Sequence, residues 1–90
     1  MKTRWSPEAT ADFAGIIRYI RKDNPTASEK IAHTIYDAAV SLKSFPNRGR
    51  AGRVENTREL VLSPLPFFVY RGTDNFVEIA RVLHGSQRWP

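Results

Sequence analysis

Two cap-then-proline pairs, Ser6-Pro7 and Asn24-Pro25, constrain this chain more than any other feature of its sequence. A serine or asparagine side chain accepts an orphan N–H of a helix's first turn. Proline suits the first helical position because its missing N–H would be unpaired there anyway. Glu8 then places a negative charge at the positive end of the helix. After the first pair, Ala9, Phe13, Ile16, Ile17 and Ile20 recur at helical spacing, and the stripe stops near Asp23. After the second pair the stripe is Ala27, Ile31, Ile35, Ala38, Leu42 and Phe45, and Pro46 ends it. The second start follows directly on the first stripe, so the spacing predicts two helices joined as an antiparallel hairpin. Trp5 is expected to pack across the start of the first helix. His33, between Ile31 and Ile35 but off the stripe, is expected at the surface.

The rest of the chain changes period. Lys2 to Trp5 is a short strand candidate ahead of the helices. Residues 46–56 (PNRGRAGRVEN) hold two glycines, three arginines and little apolar content, and read as an exposed loop. Beyond it, Thr57 to Leu62, Phe67 to Arg71 and Phe76 to Leu83 read as strands rich in aromatic and branched residues. Ser63-Pro64-Leu65-Pro66 and Gly72-Thr73-Asp74-Asn75 read as the turns between them, and His84 to Pro90 as a tail. Consecutive strands with short turns pair as an antiparallel meander. The expected fold is therefore α+β, in the order β-α-α-β-β-β: an N-terminal helical hairpin packed on a small antiparallel sheet. The helices cover one sheet face, and the other is left for loops, tail, partner or substrate. The 90 residues are expected to form one domain, with no internal repeat.

Composition narrows the function. The chain has no cysteine, which excludes disulfides and thiolate metal sites and suits a reducing compartment. No apolar run approaches the roughly 20 residues of a membrane-spanning helix. The opening Met1-Lys2-Thr3-Arg4-Trp5 lacks the apolar core of a signal peptide, so action in the cytoplasm is expected, with no metal or cofactor implied. Fourteen Lys and Arg stand against nine Asp and Glu, for a net charge of +5. Ten of the basic residues are arginines, which pair bidentately with phosphate and carboxylate. An arginine-rich surface points to nucleic acid or an acidic protein partner; the alternative is a solvated basic face.

Taken in order, several segments resemble the RelE/ParE toxins. They are WSPEATADFAGIIRYI (residues 5–20), the Asn24-Pro25 start with Ala27, FPNRGRAGRV (45–54), TREL (57–60), VYR (69–71) and EIARVLHGSQRWP (78–90). The resemblance spans nearly the whole chain, and its most distinctive piece is VLHGSQRWP. It implies a growth-inhibiting toxin of a bacterial type II toxin–antitoxin system, neutralised by a cognate antitoxin with an acidic segment that folds on the toxin. Antitoxins of this family commonly repress their own operon, so contact with operator DNA is expected only through the partner.

The family divides by target. RelE-like members cut messenger RNA in the ribosome, whereas ParE-like members act on DNA gyrase. Metal-free RNA cleavage needs a base, an acid and cations around the phosphorane. Arg58, Arg81 and His84 are the candidates for that chemistry. Arg48, Arg50, Arg53, Arg88 and Trp89 are the candidates for binding target or antitoxin, with loop and tail converging on the open sheet face. Each also has a plainer reading. His84 can cap the sheet edge, Arg58 can be a salt-bridge partner, and Trp89 can pack on the core. Arg81, alternating with Val77, Ile79 and Leu83, must be paired or reach water. Residues 57–62 contain no lysine, and Trp89 stands where RelE-like enzymes often carry a tyrosine. Both departures favour the ParE-like branch.

Overall fold

A computed structural model of the chain describes residues 2–62 and 67–84. Among these, strand β1 (Lys2–Trp5) leads into helices α1 (Pro7–Asp23) and α2 (Pro25–Ser41). Strands β2 (Arg50–Ala51), β3 (Arg58–Val61), β4 (Phe67–Gly72) and β5 (Phe76–Leu83) follow. The Ser63–Pro66 turn and the tail beyond His84 lie outside the described residues.

Both helix starts form as the capping chemistry requires. Ser6 Oγ accepts from the Ala9 N–H at 2.9 Å, and Asn24 Oδ1 from the Ala27 N–H at 3.0 Å. Asn24 also ends α1, its own N–H donating to the Ile20 carbonyl at 2.9 Å. One residue thus closes one helix and opens the next, which is why the hairpin needs no connector. Ser6 does a second job: its hydroxyl donates to the Ala80 carbonyl at 2.7 Å, tying the start of α1 to β5.

The end of α2 departs from expectation. Leu42, Lys43 and Ser44 each donate three residues back, to Ala39, Val40 and Ser41. These tighter turns advance the chain by three residues per turn rather than 3.6, so the apolar phase is lost. Leu42 remains fully buried, while Phe45, placed on the stripe by its spacing, is 65% exposed.

The five strands form one sheet in the order β1-β5-β4-β3-β2. The β3-β4-β5 meander is antiparallel, as expected. Two strands enlarge it. β1 pairs with β5 in parallel, the helical hairpin lying between them in sequence, so the sheet is mixed rather than purely antiparallel. β2 forms inside the segment read as loop, with Arg50 opposite Glu59 and Ala51 opposite Arg58.

The helical hairpin covers one sheet face. Ala9, Ile35, Ala38, Ala39 and Leu42 pack on Leu60, Phe68, Tyr70, Val77, Ile79 and Val82, and Trp5 stacks on Phe13 with ring centroids 5.4 Å apart. Ile35 and Leu42 are wholly buried; each contributes about 1.5–3 kcal/mol relative to exposure. A bulge in β5 changes which residues reach this core. Tyr70 is opposite Ile79 but Val69 is opposite Arg81, which leaves Ala80 as the extra residue. Val77 and Ile79 face the helices; past the bulge Val82 takes that place, and Leu83 packs with Val69 in a separate cluster. Simple alternation had put Arg81 on the core face with Val77 and Ile79. The inserted residue removes it.

Candidate functional site

The segment 46–56 is anchored from below by two side chains. Tyr70, fully buried in β4, accepts from the buried Gly49 N–H at 2.8 Å and donates to the Pro46 carbonyl at 2.9 Å. Glu59, on β3 and only 2% exposed, divides its carboxylate between two arginines of the segment. Its Oε1 accepts from Arg50 Nη2 at 3.2 Å. Its Oε2 accepts from the Arg53 backbone N–H at 3.1 Å and lies 3.7 Å from Arg53 Nε. The Arg50 and Arg53 side chains stay 63% and 56% exposed. The segment closes where Gly52 donates to the Thr57 carbonyl at 2.8 Å and Asn56 takes a left-handed turn at φ 66°, a conformation asparagine tolerates well.

Arg48 lies one turn earlier, donating from Nη1 to Ser41 Oγ at 2.8 Å. A groove beside it is lined by Ser41, Ser44, Phe45, Pro46, Asn47 and Arg48. The sequence reading of Arg48, Arg50 and Arg53 as exposed residues holds at all three positions. Treating the whole segment as an irregular exposed loop does not, because β2 and the buried Gly49 sit within it. Strand pairing and the Tyr70 and Glu59 bonds supply partners for its backbone.

Of the three residues considered for RNA chemistry, Arg58 is held apart from Arg81 and His84. Arg58 donates from Nη1 to the Gly49 carbonyl at 2.8 Å, toward the β2 edge. Arg81 reaches toward the opposite edge of the sheet and pairs bidentately with Asp12 of α1, Nε to Oδ2 at 2.7 Å and Nη2 to Oδ1 at 3.1 Å. Asp12 Oδ2 also accepts the Val82 N–H at 3.0 Å, beyond the point where β1 stops covering β5. The hydrogen bond to Asp12 raises the Arg81 pKa above arginine's ordinary value, with the nearby carboxylate charges adding to it and burial opposing it. Arg81 thus stays charged at any pH a cell reaches and is unfit to shuttle a proton there. His84 follows β5, while Arg58 is in register with Tyr70 and hence with Ile79. At ordinary strand spacings their backbones are about 16 Å apart. Arg88 and Trp89 lie outside the described residues.

Asp12, Glu59 and Tyr70 organise these contacts, and none was singled out from sequence. Each carried a signal. Glu59 is a lone acid in a strand next to an arginine-rich segment, Tyr70 shares strand parity with Phe68, and Asp12 borders the apolar stripe of α1. A buried tyrosine or carboxylate must find partners.

The chain as a whole is similar to known proteins. The sequence profile of the family described as "ParE toxin of type II toxin-antitoxin system, parDE" matches residues 3–89. The protein Y4kP of Sinorhizobium fredii is 37% identical over 89 residues, covering 99% of this chain and 93% of that one. Toxin RelE2 of Caulobacter vibrioides is 35% identical over 83 residues, covering 92% and 93%. Among solved structures, the chromosomal ParDE toxin–antitoxin system of P. aeruginosa contains a chain of the same fold. It superposes with a TM-score of 0.83 at 23% identity, covering 93% of this chain and 95% of that one. The solution structure of a conserved hypothetical protein from Helicobacter pylori gives a TM-score of 0.62 at 16% identity, covering 97% of each chain. Among the described residues, no helix is long and apolar enough to cross a membrane.

Proposed function

Because this chain belongs to the ParE toxin family of type II toxin–antitoxin systems, we propose that it arrests growth by binding DNA gyrase rather than by cutting RNA. The chain is the toxin component of such a system, and an antitoxin is its partner. In this reading the loop bearing Arg48, Arg50 and Arg53 is the surface that an acidic antitoxin segment occupies. Arg88 and Trp89 are further candidates for contact with target or antitoxin, and the antitoxin carries any contact with operator DNA.

One observation carries the preference for binding over catalysis. Arg58 and Arg81, the cations that phosphorane stabilisation would need, are each anchored by bonds within the fold, toward opposite edges of the sheet rather than toward one point. Positioned donors must converge within about 3 Å of the reacting oxygen. The binding loop, by contrast, is anchored beneath and exposed above.

Induction of the toxin without antitoxin tests the proposal. DNA-damage signalling with intact bulk messenger RNA is the expected outcome. Rapid cleavage of transcripts at ribosome positions would overturn it. A second reading, a ribosome-dependent ribonuclease using His84 with Arg58 and Arg81, is favoured by the 35% identity to a protein named toxin RelE2. It requires that His84→Ala abolish transcript cleavage while the fold survives.

A further inference from the structure

We infer that Glu59 is a positioning residue, setting Arg50 and Arg53 as a paired cradle for the carboxylates of an acidic polypeptide. The inference rests on the reading of the 46–56 segment as the partner surface, and deepens it.

The geometry begins with register. Arg50 and Glu59 are opposite each other across the β2/β3 pair. One carboxylate therefore meets one guanidinium by strand pairing and a second by the turn that follows, three residues on. It also holds the backbone between them through the Arg53 N–H. Burial is sharply unequal: Glu59 is 2% exposed, whereas the two guanidinium side chains are more than half exposed. Each arginine is held by the same carboxylate while its side chain stays more than half exposed. A guanidinium has five N–H donors in a planar fork, and Arg50 spends one on Glu59. Enclosing a carboxylate beside arginines is weak as a source of stability, since desolvation offsets much of the attraction. What it supplies here is order in two long side chains that would otherwise sample many rotamers.

Tyr70 provides a second anchor that carries no charge. Its hydroxyl grips the Pro46 carbonyl and the Gly49 N–H, immediately before β2.

The chemistry of the cradle favours a polypeptide over a polynucleotide. Nucleic acid binding draws its affinity from neutralising many phosphates with an uninterrupted basic tract. Residues 49–59 hold three arginines against two glutamates, Glu55 and Glu59. Such a surface suits one or two carboxylates held with defined geometry, which a guanidinium pair matches in bidentate fashion.

The test uses the whole chain and a fluorescein-labelled decaglutamate peptide, read by anisotropy, with circular dichroism to confirm folding. The sign of the Glu59→Gln effect separates positioning from simple charge. Glutamine keeps one acceptor oxygen and replaces the other with an amide donor, so it cannot hold both Arg50 and the Arg53 N–H. Removing a negative charge would by Coulomb's law alone tighten binding of an anionic peptide. Loss of positioning weakens it, by about three- to ten-fold for freeing one or two arginine side chains. Tyr70→Phe leaves the charge unchanged and is expected to weaken binding in the same direction; it decides the matter if Glu59→Gln does not fold. Weaker binding in these variants supports the inference. Unchanged or tighter binding, with Arg50→Ala/Arg53→Ala still weakened, overturns it and leaves the partner surface standing. Unchanged binding in the double arginine variant overturns the partner surface itself.

Discussion

Removing either half of the Asp12–Arg81 pair should destabilise the protein, and by unequal amounts. Arg81→Ala deletes two charge-assisted hydrogen bonds, of 2.7 and 3.1 Å. The Arg81 and Asp12 side chains are 33% and 16% exposed, so solvent screens part of their attraction. Discounting for that screening, the loss is about 1–2 kcal/mol. Asp12→Ala deletes the same bonds and also strands the Val82 N–H, on a residue that is 1% exposed. An unsatisfied buried donor costs about 1–3 kcal/mol more, for a total of about 2–5 kcal/mol. Asp12→Asn should fall between the two alanine variants, because its amide oxygen still accepts from Val82. In a domain of this size each kcal/mol shifts the melting temperature by about 4–8 °C, so the two alanine variants should differ by at least about 4 °C. Thermal melts and urea titrations of both singles and the double variant measure the costs and their coupling. An Arg81→Ala variant as destabilised as Asp12→Ala would refute the idea that Asp12 serves the backbone as well as the arginine. The result also bears on function, because growth inhibition by Arg81→Ala must be judged against its folded fraction.

Three further outcomes are expected from the packing and capping described above. A methyl group added at Gly49 would stand 2.8 Å from the Glu59 carbonyl oxygen and 2.9 Å from the Tyr70 ring and hydroxyl; Gly49→Ala should therefore cost about 1–3 kcal/mol, and an unmoved urea midpoint would show that the anchor is looser than drawn. Ser6→Ala should cost more than Asn24→Ala, each within about 0.5–2 kcal/mol, because Ser6 Oγ holds the Ala80 carbonyl as well as capping α1; melting curves with the order reversed would contradict this. Ile35→Ala should cost about 2–5 kcal/mol while Phe45→Ala stays within about 0.5 kcal/mol, since the first is wholly buried and the second 65% exposed; chemical denaturation of the pair checks whether α2 loses its apolar phase at Ser41.

Much of the fold was legible because its signals are local. Ser6-Pro7 and Asn24-Pro25 cap helices through atoms three residues away, and a stripe such as Ile31, Ile35, Ala38 and Leu42 is written by helical period alone. The meander was legible for the same reason: alternation and turn composition act over a few residues. The candidate site was legible only as exposed arginines. Nothing local told that Arg50 would face Glu59 across a two-residue strand, or that Arg58 would turn toward Gly49.

Residue order alone determined the helical hairpin, the strand-rich second half and the basic character of the segment between them. Tertiary structure decided the parallel partner of β5, the strand inside the apparent loop, and the fate of Arg81. The last turned on one unpaired residue, Ala80, whose insertion moved Val82 into the core and sent the arginine to Asp12, 69 positions away. Such choices depend on which distant groups are left needing a hydrogen bond or a counter-charge once the chain has folded, and no short window of sequence contains both partners.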